Sequence, residues 1–596
     1  MLNELIYRCM GNLKYFSLLM AAGMFAACSD NLENAGNVNE GGANGTGYVK
    51  ISLNLPSTSG GSTRANSEND DFNNGSAKEY NVEDVILALF YGTDESNATC
   101  KWATTLITGF GDASTDPSNI TTKSTSIVSE VPQPDEGQSI YALAIINGKD
   151  YFGISNNELT FDANAATKVT FIGKKLSDLF TTASPVVIDN IANTTDEGYF
   201  MMTNAPISDK ASVQSTVSDW NPQITTLVKL NYYEDESTAE KTTPDPIYVE
   251  RVVAKVNVKI NDADDRGSNT LSIKKDDGQV VGKVTFDKWA LQTTNKKTYL
   301  VRKGSQNDLN AWKTYYNTEA TSAENRFVGE VSGPYRTYWG IDPNYELLGE
   351  ADLNGNFNIW TKAAETTDND WFDFANNLSD GESAYCAENT TIAKAMQQDQ
   401  LTGVLLKATY KDADGNAADI FTYGNVSTIY PAATMLDEFE KTLGTPTVEL
   451  KVKTSAVGAI ITTVDELKNV IVKSDDNLLT DEQYGDLLAT YSPIKFYADG
   501  ETFYYASLIK HFGDVYTPIK SGQNIVNLDD YEEADHLGRW GVVRNNWYEL
   551  IINSVSGLGE PEIPDNPQLP GDTENRYINC SINVLSWAKR SQGVDL

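Results

Sequence analysis

The chain has 596 residues, 40% of them hydrophobic, enough for two or three packed cores. Its formal charge of -37, from 83 acidic against 46 basic residues, argues against nucleic acid as a partner, because no basic surface is available to neutralise a run of phosphates. Only two histidines exist, His511 and His536, so His-based triads and His-rich metal sites are nearly excluded by inventory.

From Met10 the chain reads MGNLKYFSLLMAAGMFAACSD: a basic residue, a mostly apolar run, then a small-residue site ending in cysteine. This is a secretion signal, too short to span a membrane comfortably, so residues 1–27 are expected to be removed. The residues before Met10 read as an upstream mis-start. A cysteine at the cleavage point is the lipoprotein pattern, which makes Cys28 the expected acylation site and the precursor's lipid the only expected membrane contact. Cys100, Cys386 and Cys580 are far apart and show no CxxC spacing, so each is expected to be a small buried apolar residue rather than a zinc ligand.

A Gly/Asn-rich tether follows Cys28 and can bury nothing. YVKISLNLP then alternates cleanly, with Val49, Ile51, Leu53 and Leu55 on one face and Lys50, Ser52 and Asn54 on the other, as a half-buried strand requires. The next stretch, STSGGSTRANSENDDFNNGSAKEYN, is loose and polar and holds a single arginine, Arg64. Strand signals recur at VEDVILALFYG, SIYALAIING, ATKVTFIGK and YFMMTNAPI. The charged, Pro-containing EDESTAEKTTPDP (234–246) breaks the pattern and is read as the domain boundary. IYVERVVAKVNVKI opens the second domain, followed by VGKVTFDKWALQ and a hairpin-like LLKATYKDADGNAADIFTYG. Helices are few: TVDELKNVIVKS and TDEQYGDLLATY each begin with a capping-box pattern, Thr463 with Glu466 and Thr480 with Gln483. Short strands at roughly regular spacing give an all-β expectation of β-sandwich domains.

Chemistry is sparse. No GxSxG, HExxH or GxxxxGK[ST] occurs, and carboxylates are so common that any close pair is expected by chance; the chain is expected not to be an enzyme and to need no cofactor. DADGNAAD (Asp412, Asp414, Asn416, Asp419) and DLNGN (Asp352, Asn354, Asn356) are weak calcium candidates, since the acidic twelfth ligand of an EF-hand is missing from both. Tight hairpin tips explain them better.

The tail alternates too: Ile578, Cys580, Ile582 and Val584 fall at period two with Asn579, Ser581 and Asn583 between them. Before it lies a spacer holding Pro561, Pro564, Pro567 and Pro570, which is expected to stiffen the chain and hold the tail away from its own domain. The alternative is a terminal strand that folds back onto its own sheet.

Several stretches together resemble the fimbrillins of Bacteroidales, most closely the major subunit of short, Mfa-type fimbriae. They are the lipobox ending at Cys28, STRAN around Arg64, YALAIING (141–148), MMT (201–203) and VERVVAKVNV (249–258). KWALQTTNKKTYLVRK (288–303), VVRNNWYELIINSVSGLG (542–559) and a tail ending VDL (594–596) complete the set. The resemblance implies two transthyretin-like β-sandwich domains with a few short helices, in a pilus polymer at the outer surface. It further implies an arginine-specific protease cutting between Arg64 and Ala65, after which the C-terminal strand of a neighbour fills the groove left by the first strand. The expected division is a 1–27 signal, a 28–64 lipidated propeptide, sandwiches at 65–240 and 241–558, a 559–576 spacer and a 577–596 donor strand. Having both a scissile arginine and a donor tail suits a stalk subunit, with identical or related subunits, an anchor and a tip as partners. Cys580 departs from the aliphatic residue expected in a donor strand.

The competing expectation is a monomeric, glycan-binding outer-membrane lipoprotein that keeps its lipid and binds through exposed aromatic platforms, with Trp312, Trp339 and Trp360 as candidates. A secreted hydrolase is disfavoured for want of any site.

Overall fold

The computed structural model describes residues 45–55, 79, 81–106, 124–194, 198–210, 223–260, 269–274, 278–304, 335–337, 339–346, 355–360, 371–374, 382–412, 414–424, 428–444, 448–512, 517–564, 569–573 and 578–585. The signal with Met10, Cys28, Arg64, Ala65, Trp312, Asp352, Asn354 and the final VDL lie outside them. From Gly47 onward the described residues belong to one compact unit. The fold is all-β, with a few short helices.

The first sheet has nine strands: β1 (Thr46–Asn54), β2 (Val85–Gly92), β3 (Thr99–Thr105), β4 (Ser124–Pro132), β5 (Ser139–Ile146), β6 (Met202–Asn204), β7 (Val228–Leu230), β8 (Tyr232–Tyr233) and β9 (Asp245–Arg251). Their order is β8-β1-β9-β6-β5-β2-β3, with β7 on β5 and β4 on β1. All eight residues of β2 are buried, as are seven of the eight in β5, which matches their unbroken apolar runs. Such runs need no alternation because both faces are covered; here Leu87, Leu89, Leu143 and Ile145 share one core with the first strand.

The second sheet also has nine strands: β10 (Val253–Ile260), β11 (Thr270–Lys274), β12 (Val280–Gln292), β13 (Phe372–Asp373), β14 (Ala384–Ala387), β15 (Gly403–Lys411), β20 (Glu501–Leu508), β21 (Trp547–Val555) and β22 (Ile578–Leu585). The order is β14-β10-β21-β11-β12-β15-β20, with β13 on β12 and β22 on β21, around a core holding Val256, Phe286, Trp289, Leu406 and Ile552.

Between β15 and β20 the chain leaves the sheet for a smaller lobe. It contains β16 (Ile420–Tyr423), β17 (Tyr430–Pro431), β18 (Ala459–Ile461) and β19 (Ile494–Tyr497), ordered β17-β16-β19-β18. Phe421, Phe439, Leu487 and Phe496 form its core, supplied partly by α2 (Ala432–Leu443) and α4 (Asp481–Tyr491). A further short helix, α1 (Glu236–Lys241), precedes β9.

Several local expectations need correction. The capping box at Thr463 and Glu466 forms, but its helix, α3, spans only Val464–Lys468; the β-branched residues that follow make a strand at Ile471–Lys473. The box at Thr480 and Gln483 starts α4 as expected. ATKVTFIGK reduces to the two-residue strand Val169–Thr170. The turn at 412–419 is not a hairpin tip, because β15 pairs with β12 and β20 while β16 pairs with β17 and β19. β9, which follows the expected boundary, still pairs with β1 and β6, and the chain changes sheets at Val252.

Candidate functional site

The chemistry expected of this chain is strand exchange, so the relevant geometry is how its first and last strands are held. β1 enters the first sheet as an interior strand. Tyr48 and Val49 pair antiparallel with Tyr233 and Tyr232 of β8, Ile51–Asn54 pair parallel with Asp245–Tyr248 of β9, and β4 also pairs with β1. Val49, Ile51, Leu53 and Leu55 are each 0% exposed, whereas Lys50, Ser52 and Asn54 are half-buried. Lys50 Nζ donates to the carbonyls of Glu240 (2.7 Å) and Thr242 (2.8 Å), capping the end of α1 with a cation where the helix dipole is negative. The four apolar side chains expected to face the core therefore all do so.

Glu79 is the first described residue beyond the Arg64 segment, and it is wholly buried at the seam between the two sheets. Its Oε1 accepts from Lys255 Nζ of β10 (2.9 Å) and from the Tyr385 hydroxyl of β14 (2.8 Å), and its carbonyl accepts from Arg251 Nε at the end of β9 (3.0 Å). Lys255 also sits 3.9 Å from the centre of the Trp547 ring. Burial works to raise the Glu79 carboxyl, but Lys255, Arg251 and Tyr385 outweigh it and hold the group below its usual range. A second buried ion network lies along the same junction. Arg302 Nε is 3.0 Å from Glu250 Oε1, and Arg544 Nη2 is 2.6 Å from Glu388 Oε1. Three of its members, Glu250, Arg302 and Arg544, fall within stretches that carried the family resemblance.

At the other end, β22 runs antiparallel along β21 of the same chain, from Val555↔Ile578 through Ile552↔Cys580 and Leu550↔Ile582 to Tyr548↔Val584 and Trp547↔Leu585. In the isolated chain the last strand thus takes the fold-back arrangement. The spacer does not stand clear of the domain either. Phe503 and Glu560 exchange backbone hydrogen bonds at 2.7 and 2.8 Å, Lys495 bonds the Glu560 carboxylate at 2.8 Å, and Ile563 is 2% exposed within an apolar cluster. Further on, Asp572 accepts from Arg539 Nε (2.8 Å), Arg539 Nη2 (2.5 Å), Tyr531 Oη (2.8 Å) and Trp540 Nε1 (3.2 Å). Burial pushes the Asp572 carboxyl up, and the Arg539 guanidinium with the Tyr531 and Trp540 donors more than offsets this, leaving it below the usual carboxylate range. Proline content argued for stiffness but said nothing about what the residues between the prolines would meet.

Neither Glu79 nor Asp572 stood out in the sequence. Their ionic partners lie 176 and 33 residues away, beyond any local pattern. Three of the calcium candidates, Asp412, Asp419 and Asn356, hydrogen-bond to the fold's own backbone. Asp412 Oδ1 accepts from the backbone amides of Asp414 and Asn416, both at 2.9 Å, Asp419 Oδ1 accepts from the Asp499 amide, and Asn356 Nδ2 donates to the Asn344 carbonyl. Among the described residues no group of three or more His, Cys, Asp or Glu side chains is placed to hold a metal ion. Cys100 and Cys386 are buried, which pushes both thiols up to about 12. Trp339 packs with His511 and Phe512, and Trp360 with Trp371, so both serve the interior rather than an exposed platform. Among the described residues no helix is long and apolar enough to cross a membrane.

Comparison with known proteins gives one family match: residues 495–593 match the C-terminal family of fimbrillin, the major fimbrial subunit protein type IV. No curated protein matches the chain. Among solved structures, a candidate cell adhesion protein from Parabacteroides distasonis is 12% identical at a TM-score of 0.35, covering 91% of this chain and 98% of its own. The tip fimbrial protein Mfa3 from Porphyromonas gingivalis, with C-terminal truncation, is 9% identical at a TM-score of 0.31, covering 91% of this chain and 100% of its own. A fimbrial assembly protein from Parabacteroides distasonis is 10% identical at 0.26, covering 65% and 87%. The matched segment contains β20, β21, the docked spacer and β22, and through it this chain is similar to the fimbrillins.

Proposed function

We propose that this chain is a structural, stalk-type subunit of a surface fimbria. It is exported as a lipoprotein on Cys28, cut by an arginine-specific protease between Arg64 and Ala65, and polymerised when the C-terminal strand of one copy replaces β1 of the next. The fimbrial role rests on the match at residues 495–593. The observation that carries the exchange reading is β1 with the residue after it: Val49, Ile51 and Leu53 of the strand and Leu55 just beyond are fully buried teeth, joined to the rest of the fold by a polar segment that contains Arg64.

Removing β1 together with Leu55 would uncover four apolar pockets, worth roughly 6–12 kcal/mol gross at about 1.5–3 kcal/mol per aliphatic side chain. The tail carries a matching comb in Ile578, Cys580, Ile582 and Val584. While β1 is covalently attached, its effective concentration keeps a second molecule's tail out, and the cut removes that advantage. Leaving β21 is not prohibitive for β22. Among the named strands β22 pairs only with β21, whereas the β1 position is flanked by β9 on one side and by β8 and β4 elsewhere. A strand moving from an edge to that position gains a second ladder, at about 1 kcal/mol net per hydrogen bond.

N-terminal sequencing of the surface form tests the cut: the pilin reading expects Ala65, and a retained, lipidated Cys28 would support a permanently anchored lipoprotein instead. Arg64→Ala is expected to leave export intact and yield monomers.

A further inference from the structure

Resting on the exchange reading, we propose that Asp572 is the fixed root of the C-terminal arm. By locking the spacer onto the subunit body, it shortens the free part of the linkage and makes the fibre stiff rather than beaded.

The lock is built from both backbone and side chains. Gly571 N donates to the Met396 carbonyl (2.9 Å), Gln398 N donates to the Leu569 carbonyl (2.9 Å), and Gln398 Nε2 donates to the carbonyls of Pro570 (3.1 Å) and Thr573 (2.6 Å). A Cβ at Gly571 would come within 2.7 Å of Trp540 Nε1, so the chain can lie this close to the indole only with glycine there. Asp572 then closes the arrangement on Arg539 and Trp540, while Arg539 Nη1 donates to the Thr517 carbonyl (2.6 Å). The Asp572 amide donates back to the Tyr531 hydroxyl (3.1 Å). A bidentate, largely buried guanidinium–carboxylate pair with this many fixed neighbours is a rigid joint rather than a surface ion pair.

The consequence is geometric. Five Cα steps separate Thr573 from Ile578 (578 − 573), which span at most about 18 Å. With the lock open, the nearest upstream hold is at Glu560 and Ile563, and the free segment up to Ile578 would reach about 50 Å. Asp572 is a positioning residue: it does not touch the acceptor groove but fixes where the arm leaves the body. Successive copies are then held nearly in contact. Open, they would be linked by a long Pro-rich tether.

Two readouts test this on the full-length, processed protein with Asp572→Ala. In the monomer, hydrogen exchange at 569–573 should be protected in the wild type and lost in the variant. In fibres, electron microscopy should show arm-dependent assembly at normal yield with a persistence length reduced more than about threefold. A second variant keeps the lock and inserts Gly-Ser-Gly-Ser after Thr573; it should loosen the fibre similarly, and it guards against a fold defect in Asp572→Ala. Fibres of either variant as stiff as the wild type would overturn the proposal. Unchanged fibres after deletion of 577–596 would instead sink the exchange reading, and this proposal with it.

Discussion

At the residue scale, the most consequential side chains are buried charges that join distant parts of the chain. Glu79 is held ionised by Lys255 and Arg251, so its folded pKa lies below the unfolded value of 4.5. A depressed acid stabilises the fold above its unfolded pKa, and that stabilisation disappears as pH falls through the folded value. Glu79→Gln, which leaves Lys255 buried without its counter-charge, should cost about 3 kcal/mol at neutral pH. The wild-type advantage over the variant in denaturant unfolding should shrink as pH drops below 4.5; a gap constant with pH would show that the pairing is not what stabilises the seam. Cys100 and Cys386 were legible: isolated, unspaced thiols in apolar strands became interior residues. Cys100 and Cys386 should therefore resist thiol reagents at mildly alkaline pH until the protein is unfolded, as mass spectrometry of the labelled sites would reveal. The ion networks were not legible, because charge composition does not say which of many carboxylates meets which of few cations.

At the element scale, alternation was a faithful guide wherever one face of a strand met a core. β1 needed no other information: its period-two pattern and its exposure agree tooth by tooth. Local signals failed where tertiary pairing decided the outcome. DADGNAAD is a tight turn, yet the strands on either side of it join different sheets, and the β-branched end of TVDELKNVIVKS was captured by a neighbouring strand at Leu450–Val452. The two capping boxes, by contrast, depend only on residues three apart and form as read. Thr480→Ala should cost about 1 kcal/mol in the stability of the lobe that contains α4, measurable by thermal unfolding. For the tail, Ile582→Asp should stop fibre elongation while leaving the melting temperature of the monomer close to wild type, since one edge strand contributes little to a two-sheet fold. A large loss of monomer stability would mean that β22 is an integral strand rather than a donor.

At the scale of the whole molecule, the all-β class and the two large cores follow from strand spacing and apolar content, but the seam between them does not. The charged break at 234–246 marks a helix and a turn, not a change of sheet, because β9 must first return to pair in parallel with β1. Parallel pairing recurs at β10 and β21, which are separated by most of the second half of the chain. Such long-range partners are invisible to periodicity. The same return of β9 explains why β1 is the strand suited to removal: it is the first element of the described fold, it lies between partners supplied much later, and only the Arg64 segment links it forward. A filament structure at side-chain resolution tests this most directly. The account predicts residues 578–585 of one subunit lying between β9 and β8 of the next, where 46–54 sit in the isolated chain, with nothing preceding Ala65 retained. Residues 578–585 still paired with β21 of their own subunit, and 46–54 still in place, would contradict it.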